Sequence, residues 1–385
     1  MAASSVSTRR TKRYLLGALL LLLVLPAAQT LLNVKVFRLP PVGFEVPLPR
    51  PRLSGPALLA GTYQDSLAQY ATQRLGFRTW LMRPRNQLAY SLFHQSPTPE
   101  VLLGRQRQLF ERGPVRSALG RDRAVPAAEV QQRVQTLRAL QDTLARRGKL
   151  LVFAIAPSKA SVYAELLPDS CQPAGLTNYA RYVPALRAAG INLLDFGQAF
   201  RQWKASSPYP LFPPGGTHWS GYGCVRAADS LLRYLAQRGV VLPRVRHTGL
   251  EVSTTPRYSD DDLLRLLNLL YDPAPTPLAY PQLAFAAPQP GKKRPRLLLV
   301  GDSFGYSFVE FYPYLQQVFG PESQFWYYNN ELAWPHESGQ PMLPVAGLDL
   351  RATLAAHDVV LLLFSEFNLI DFDRNFSQQA LQALR

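Results

Sequence analysis

The sequence predicts an α/β protein: a mostly parallel sheet with flanking helices, preceded by a membrane-crossing segment. Three observations carry that expectation. A short continuous apolar run at residues 150–155 suits a strand buried on both faces, and further short, mainly apolar strands read at 191–195, 296–300 and 359–364. Stretches of helical periodicity alternate with them, the order that builds a parallel sheet covered on both sides. Near the N-terminus, a Leu-rich run approaches the ~20 residues needed to cross a bilayer.

That run, residues 14–32, is interrupted only by Gln29 and Thr30 and follows the basic cluster Arg9, Arg10, Lys12 and Arg13. The cluster places residues 1–13 in the cytoplasm and the globular part outside it. A single-pass membrane protein with its globular part exported is the expectation. Pro26-Ala27-Ala28 leaves a cleaved signal peptide as the alternative, but Leu31 and Leu32 continue the apolar run and favour an uncleaved anchor. Export also disposes of nucleic acid as a partner, although 42 Lys+Arg against 26 Asp+Glu give a net charge of +16. The surplus, mostly Arg, reads either as a solvated basic surface reflecting codon bias or as attraction for a polyanion such as an acidic polysaccharide or lipid headgroups.

Residues 33–57 are punctuated by Pro40, Pro41, Pro47, Pro49, Pro51 and Pro56, the composition of a semi-rigid extended linker. The rest, 58–385, is expected to form one catalytic domain. Helical periodicity runs from 58 to 92 with a break at Gly76. A clearer helix follows Pro126, with Val130, Val134, Leu137, Leu140 and Leu144 on one face and Gly148 at its end. Further helices are expected at 176–189 and 220–238, stopped by Gly190 and Gly239. The Pro- and Arg-rich stretch 248–295 reads as an insertion between sheet elements and not as a second core. Cys171 and Cys224 are the only cysteines, so no metal-site spacing exists. A disulfide closing about 53 residues would stabilise by ~4 kcal/mol in an oxidising compartment; two buried free thiols are the alternative.

Chemistry concentrates in two motifs. Gly301-Asp302-Ser303-Phe304 lies where a buried strand gives way to a helical stretch, at the carboxyl edge where parallel sheets bind ligands. There Ser303 is a candidate nucleophile, N–H groups at the helix start can hold an oxyanion, and Gly305 lets the backbone approach a substrate. Gly215-Gly216-Thr217-His218-Trp219-Ser220 supplies an accessible imidazole before another helix, and a serine nucleophile needs such a base. His94, His247, His336 and His357 are left without a catalytic role.

With these motifs the chain resembles the SGNH-hydrolase-like family of the alginate O-acetyltransferases AlgJ and AlgX. Phe77-Arg78 with Leu81, Arg83 and Asn86 resembles the family's opening helix. Val101-Leu102-Leu103-Gly104 with Leu109-Phe110 follows, then Pro157-Ser158-Lys159 with Tyr163 and Leu167-Pro168, then Thr217-His218-Trp219, then Gly301-Asp302-Ser303-Phe304. The resemblance spans about residues 60–370 and implies an SGNH-hydrolase-like (flavodoxin-like) fold in the periplasm. It also implies acetyl transfer to an acidic or neutral exopolysaccharide through a Ser303 ester, with His218 as base and Thr217 beside it. A polytopic membrane O-acyltransferase would deliver the acetyl group; no cofactor or metal is called for.

One departure stands out. The family's histidine motif reads Asp-Thr-His-Trp, and the aspartate position here is Gly216. Three readings follow: another carboxylate, with Asp195 at a strand end the nearest in sequence; a Ser–His dyad; or a catalytically inert binder. After the last strand, Glu366 and Asn368 either line the site, Asn368 as oxyanion or sugar donor, or cap a turn. Phe325-Trp326-Tyr327-Tyr328 reads as a core strand sooner than as sugar-stacking rings. Lys159 either contacts substrate or caps a turn. The function expected is an envelope exopolysaccharide O-acetyltransferase. A carbohydrate acetylesterase and a non-catalytic polysaccharide-binding scaffold of an export complex are the alternatives.

Overall fold

The computed structural model describes residues 3–32, 41–43, 47–287, 291, 293–337 and 339–385, and the chain divides into two units. The smaller takes residues 1–97 and 265–273, the larger 98–264 and 274–385. Residues 58–97, expected with the sheet domain, thus group with the N-terminal helix.

In the smaller unit the helix Ala3–Leu31 already includes the basic cluster. Its segment Arg9–Leu31, 23 residues of mean hydropathy 2.0, is long and apolar enough to cross a membrane. Much of the expected linker, 33–40 and 44–46, lies outside the described residues, whereas 47–54 has neither helix nor strand. The break expected at Gly76 separates the helices Thr62–Arg74 and Arg78–Phe93. Asn86 Nδ2 donates to Leu267 O at 2.8 Å, and Gln87 Oε1 accepts from Leu270 N at 3.1 Å, which ties residues 265–273 to the second of these helices.

The larger unit holds, in chain order, β1 (Val101–Leu103), β2 (Leu109–Glu111), β3 (Leu150–Ala156), β4 (Leu193–Asp195), β5 (Val245–Ser253), β6 (Leu278–Phe285), β7 (Leu297–Gly301), β8 (Gln324–Tyr327), β9 (Glu331–Trp334), β10 (Leu343–Pro344) and β11 (Val359–Ser365). Seven of them form the central sheet in the order β10-β9-β8-β7-β11-β3-β4. From β8 to β4 all pairings are parallel, whereas β9 and β10 pair antiparallel, so the sheet is mixed. The reversal is local: Tyr328 and Asn329, both at positive φ, turn the chain too tightly for the crossover that a parallel neighbour needs. Phe325 and Trp326 are buried in β8, as a core strand requires.

Burial alternates along the central strands. Leu151, Phe153, Ile155, Leu298, Val300, Val360, Leu362 and Phe364 face one core. Val152, Ala154, Ala156, Leu297, Leu299, Leu361 and Leu363 face the other. Helices cover both faces, which is why these runs are apolar throughout. The first core takes the helix Ala127–Arg146 through Val130, Val134, Leu137, Leu140 and Leu144, together with Asn178–Ala188 and Phe376–Leu384. The second takes Phe196–Lys204 and Gly221–Ala236. The stretch 248–295 contains the antiparallel ribbon β5–β6 and, between its strands, the short helix Asp262–Leu266.

The expected disulfide does not form: Cys171 and Cys224 are both free. They belong to different packing layers. Cys224 is fully buried in the second core, its thiol pointing to Ser307 O at 3.6 Å, whereas Cys171 packs at the edge of a small cluster around Phe110, Val115 and Leu167. Burial also holds the Cys224 thiol well above its ordinary pKa. Alkylation of native, unreduced protein should therefore label Cys171 quickly and Cys224 only on unfolding. A mass change on reduction, with no label taken up beforehand, would restore the bridge.

Candidate functional site

Ser303 stands two residues beyond β7, at the carboxyl edge of the sheet, and the helical stretch expected there is a 3₁₀ turn, Ser303–Phe308. His218 leaves the loop before Gly221–Ala236, whose N-cap is Ser220. Trp219 locks these two segments together. It is fully buried, its Nε1 donates to Ser307 Oγ at 2.7 Å, and its ring meets Phe304 edge-on with centroids 4.9 Å apart. With Trp219 turned inward, His218 is left facing the serine: Nε2 lies 2.8 Å from Ser303 Oγ.

The carboxylate behind His218 is Asp262, whose Oδ2 is 2.6 Å from Nδ1. Its Oδ1 accepts the backbone N–H of Thr217 at 2.9 Å. In neutral His218 the proton therefore sits on Nδ1, toward Asp262, and Nε2 is free to accept from the serine hydroxyl. Asp262 lies in the stretch 248–295, expected only as an insertion between sheet elements. Two bonds bring it in: Leu263 N and Leu264 N donate to Gly215 O at 3.1 and 2.9 Å. The segment is further held by fully buried Asp260, which accepts from Tyr280 OH at 2.6 Å and from Arg257 N at 3.1 Å. Burial, partly offset by these bonds, pushes the Asp260 carboxyl up to about 6.

Position 216 has no room for an acid. A Cβ there would stand 2.6 Å from Ser259 O and 2.9 Å from Asp260 O, so the segment carrying Asp262 occupies the space a side chain would need. Asp195, the carboxylate suggested by sequence proximity, is engaged elsewhere. It caps Phe196–Lys204 through Gln198 N at 2.9 Å, accepts from Tyr179 OH at 2.9 Å and pairs with Arg187 at 2.9 Å.

The other candidates are supports. Asp302 is fully buried, and its carboxylate accepts from Phe304 N at 3.1 Å, Ser365 N at 2.6 Å and Asn368 Nδ2 at 2.7 Å. Asn368 is thus turned to Asp302 and not toward a substrate. With Phe304 N capped by Asp302, and Gly305 N bonded to Asp302 O at 3.0 Å, the N–H of Ser303 itself is the donor left at the head of the turn. Gly305 serves packing: a Cβ would fall 2.5 Å from the Phe325 ring. Glu366 is buried against Arg201, 3.0 Å away, which links through Tyr179 to Asp195. His247 pairs with Asp229, and buried His357 bonds Thr353 O and Glu322 O.

Lys159 is buried, with its Nζ donating to Leu109 O, Pro213 O, Pro214 O and Gly216 O at 2.7–3.0 Å. It touches no solvent-facing surface; it shapes the loop that presents His218. Burial lowers its pKa to about 7. Lys159→Met deprives these carbonyls of their shared donor and should cost roughly 3–5 kcal/mol, with turnover falling in parallel. An unchanged urea midpoint would show that the loop holds without it.

Glu111, at the end of β2, had no signal in the sequence. Burial raises its pKa, against the lowering effect of nearby Thr217 and His218, and its charge bears on His218 in turn. For His218, burial opposes charging, but the hydrogen bond and charge of Asp262, then Asp302 and Glu111, outweigh it, and the pKa lies above 6.5. Asp262 did carry one local cue: Ser259-Asp260-Asp261-Asp262 precedes an apolar pair in an otherwise basic stretch.

The family model described as "SGNH hydrolase-like domain, acetyltransferase AlgX" matches residues 101–326, more than half of the chain. The chain belongs to this family. The chain is also similar to relatives described as probable alginate O-acetylase AlgJ. The Pseudomonas putida protein is 28% identical over 207 residues, 53% of this chain and 50% of the relative. The Pseudomonas aeruginosa protein is 28% identical over 283 residues, 68% of each. The chain thus spans half the length of the first of these AlgJ proteins. The solved O-acetyltransferase domain of P. putida AlgJ is 26% identical, covering 74% of this chain and 99% of that one, with a TM-score of 0.46. In this chain His218 meets a carboxylate from the insertion, Asp262, and position 216 supplies none.

Proposed function

We propose that the protein is a cell-envelope O-acetyltransferase that acetylates an exopolysaccharide through an acetyl ester of Ser303. The observation that carries this is the unbroken relay Ser303 Oγ–His218–Asp262, at 2.8 and 2.6 Å, within an AlgX-type domain. Neutral His218 takes the hydroxyl proton through Nε2 as Ser303 attacks the acetyl carbonyl, and Asp262 stabilises the resulting imidazolium. The Ser303 N–H is the donor available to the developing oxyanion. His218 then returns the proton to the leaving group. In the second half, a sugar hydroxyl gives its proton to His218 and takes the acetyl from Ser303, whose oxygen leaves with that proton returned from His218. The apolar helix behind a basic cluster supports an uncleaved anchor with the larger unit in the periplasm. A polytopic membrane O-acyltransferase would donate the acetyl group there.

The test is to trap the intermediate. Full-length protein given a chromogenic acetyl ester should gain one acetyl group on the peptide containing Ser303, and adding a polysaccharide acceptor should speed its loss with acetyl recovered on the sugar. Label loss to water at an unchanged rate would make the protein an esterase. Absence of label, with wild type no faster than Ser303→Ala, would leave it a binding scaffold.

A further inference from the structure

The helix Gly221–Ala236 begins three residues after His218 and carries Tyr222, Val225, Arg226, Asp229 and Arg233 on one face. The positions follow helical spacing and lead away from the relay by about 16 Å at 1.5 Å per residue. With Trp203 and His247 they line a cavity of about 320 Å³, within the usual range of ligand sites, roughly 300–1,000 Å³. Tyr209 extends its aromatic edge, meeting Tyr222 edge-on at 5.4 Å.

The charges in this groove are arranged unequally. Asp229, its acidic residue, is engaged by His247 at 2.9 Å. Arg233 donates Nε to the backbone carbonyl of Asp229 at 3.3 Å. Arg226 instead lies over the ring of Trp203, 4.8 Å from its centroid, and no carboxylate pairs with it among the described residues. Trp203 is itself packed on fully buried Phe200, at 5.3 Å. The guanidinium is therefore held over a ring anchored in the core, and no hydrogen bond of its fork to a described residue is present. A planar fork fixed in this way matches a carboxylate in two-point fashion and has little ordering entropy left to lose. The flanking tyrosines offer the apolar faces that pyranose rings cover.

We propose that this groove binds a carboxylate-bearing stretch of the acceptor polysaccharide, with Arg226 holding a uronate carboxyl group and Trp203 and Tyr222 the adjoining rings. The assignment rests on the acetyltransferase reading and deepens it, since it makes the acceptor an acidic polymer. The helix that lines the groove begins three residues after His218 and runs away from it, so a chain bound there is held at a second point while one hydroxyl reaches acetyl-Ser303. The gain is in effective concentration of the acceptor.

Binding is measured with the full-length Ser303→Ala protein in detergent, by calorimetry against a hexameric alginate fragment and its carboxyl-reduced, neutral counterpart. The acidic hexamer is expected to bind at least tenfold more tightly than the neutral one. Arg226→Gln should remove that difference, and Arg226→Lys should fail to restore it, because an ammonium has no fork. In the wild-type chain the acidic hexamer should shield Arg226 from an arginine-directed reagent, a readout that needs no substitution. Equal affinity for both hexamers, displacement by inorganic phosphate at the same concentration, or unshielded Arg226 would each overturn the assignment. These outcomes are separate from acetylation of Ser303 by a small ester: failure of that reaction would sink the transferase reading while leaving the isotherms to judge the groove.

Discussion

Ser303→Ala and His218→Ala are each expected to lower turnover of an acetyl ester by roughly 10⁵–10⁶, and the double variant should be no slower than the worse single one. The reason is geometric. Ser303 Oγ is 2.8 Å from His218 Nε2, so the hydroxyl becomes nucleophilic only as the imidazole takes its proton. Removing either group removes the same event, and the losses do not add. Residual activity would come from the oxyanion donor and substrate binding. Steady-state rates of the four proteins, with a melting curve for each, make the measurement. Multiplicative losses, or a His218→Ala enzyme within tenfold of wild type, would mean the two residues do not act as one unit. His218→Ala also leaves Asp262 without its ring partner, so comparing His218→Gln separates folding from chemistry.

Asp262→Asn should lower kcat by about 10⁴, while Asp195→Asn changes it less than tenfold. An amide at 262 can donate to Nδ1, which turns the imidazole to the tautomer that cannot accept from Ser303. The pH profile adds a second readout. Only neutral His218 can serve as base, so activity rises with pH through its pKa, which lies above 6.5 because the bond to Asp262 and its charge outweigh burial. Without that charge, burial is no longer outweighed, and the acid limb of kcat/KM should move to lower pH as the plateau falls. Asp195 already caps a helix and pairs with Arg187, so its loss should appear in stability. A large loss of kcat in Asp195→Asn, with an unmoved limb in Asp262→Asn, would reverse the assignment. Gly216→Asp is expected to inactivate: its side chain would collide with the carbonyls of Ser259 and Asp260 and displace Asp262.

The readings that held share a cause. A strand buried on both faces must be apolar at every position, so the runs that became β3, β7 and β11 were visible as contiguous sequence. The same holds for the stripe Val130–Leu144 and for Gly148, which ends its helix at φ 71°. Ser303 and His218 stand beside such elements, and their positions follow from them. Asp195 was a natural candidate for the opposite reason: it too ends a strand, but β4 lies at the sheet edge and its carboxylate turns to Tyr179, Arg187 and its own helix. Asn368, Glu366, Gly305 and Lys159 were near the site in sequence pattern, yet their side chains turned out to hold backbone, core or one another.

By itself, then, the sequence determined the α/β class, the apolar N-terminal span and the Ser303 and His218 motifs, because each depends on neighbours within a few residues. Only the tertiary structure decided which carboxylate meets His218, whether the two thiols meet, and where Arg226 lies. Asp262 is 44 residues from His218 along the chain, and its role exists because Gly215 O collects Leu263 N and Leu264 N. A hydrogen bond of that range leaves no periodicity in the sequence. It forms where the ribbon's fold and the space left empty at Gly216 bring two segments together, and neither condition can be read from either segment alone.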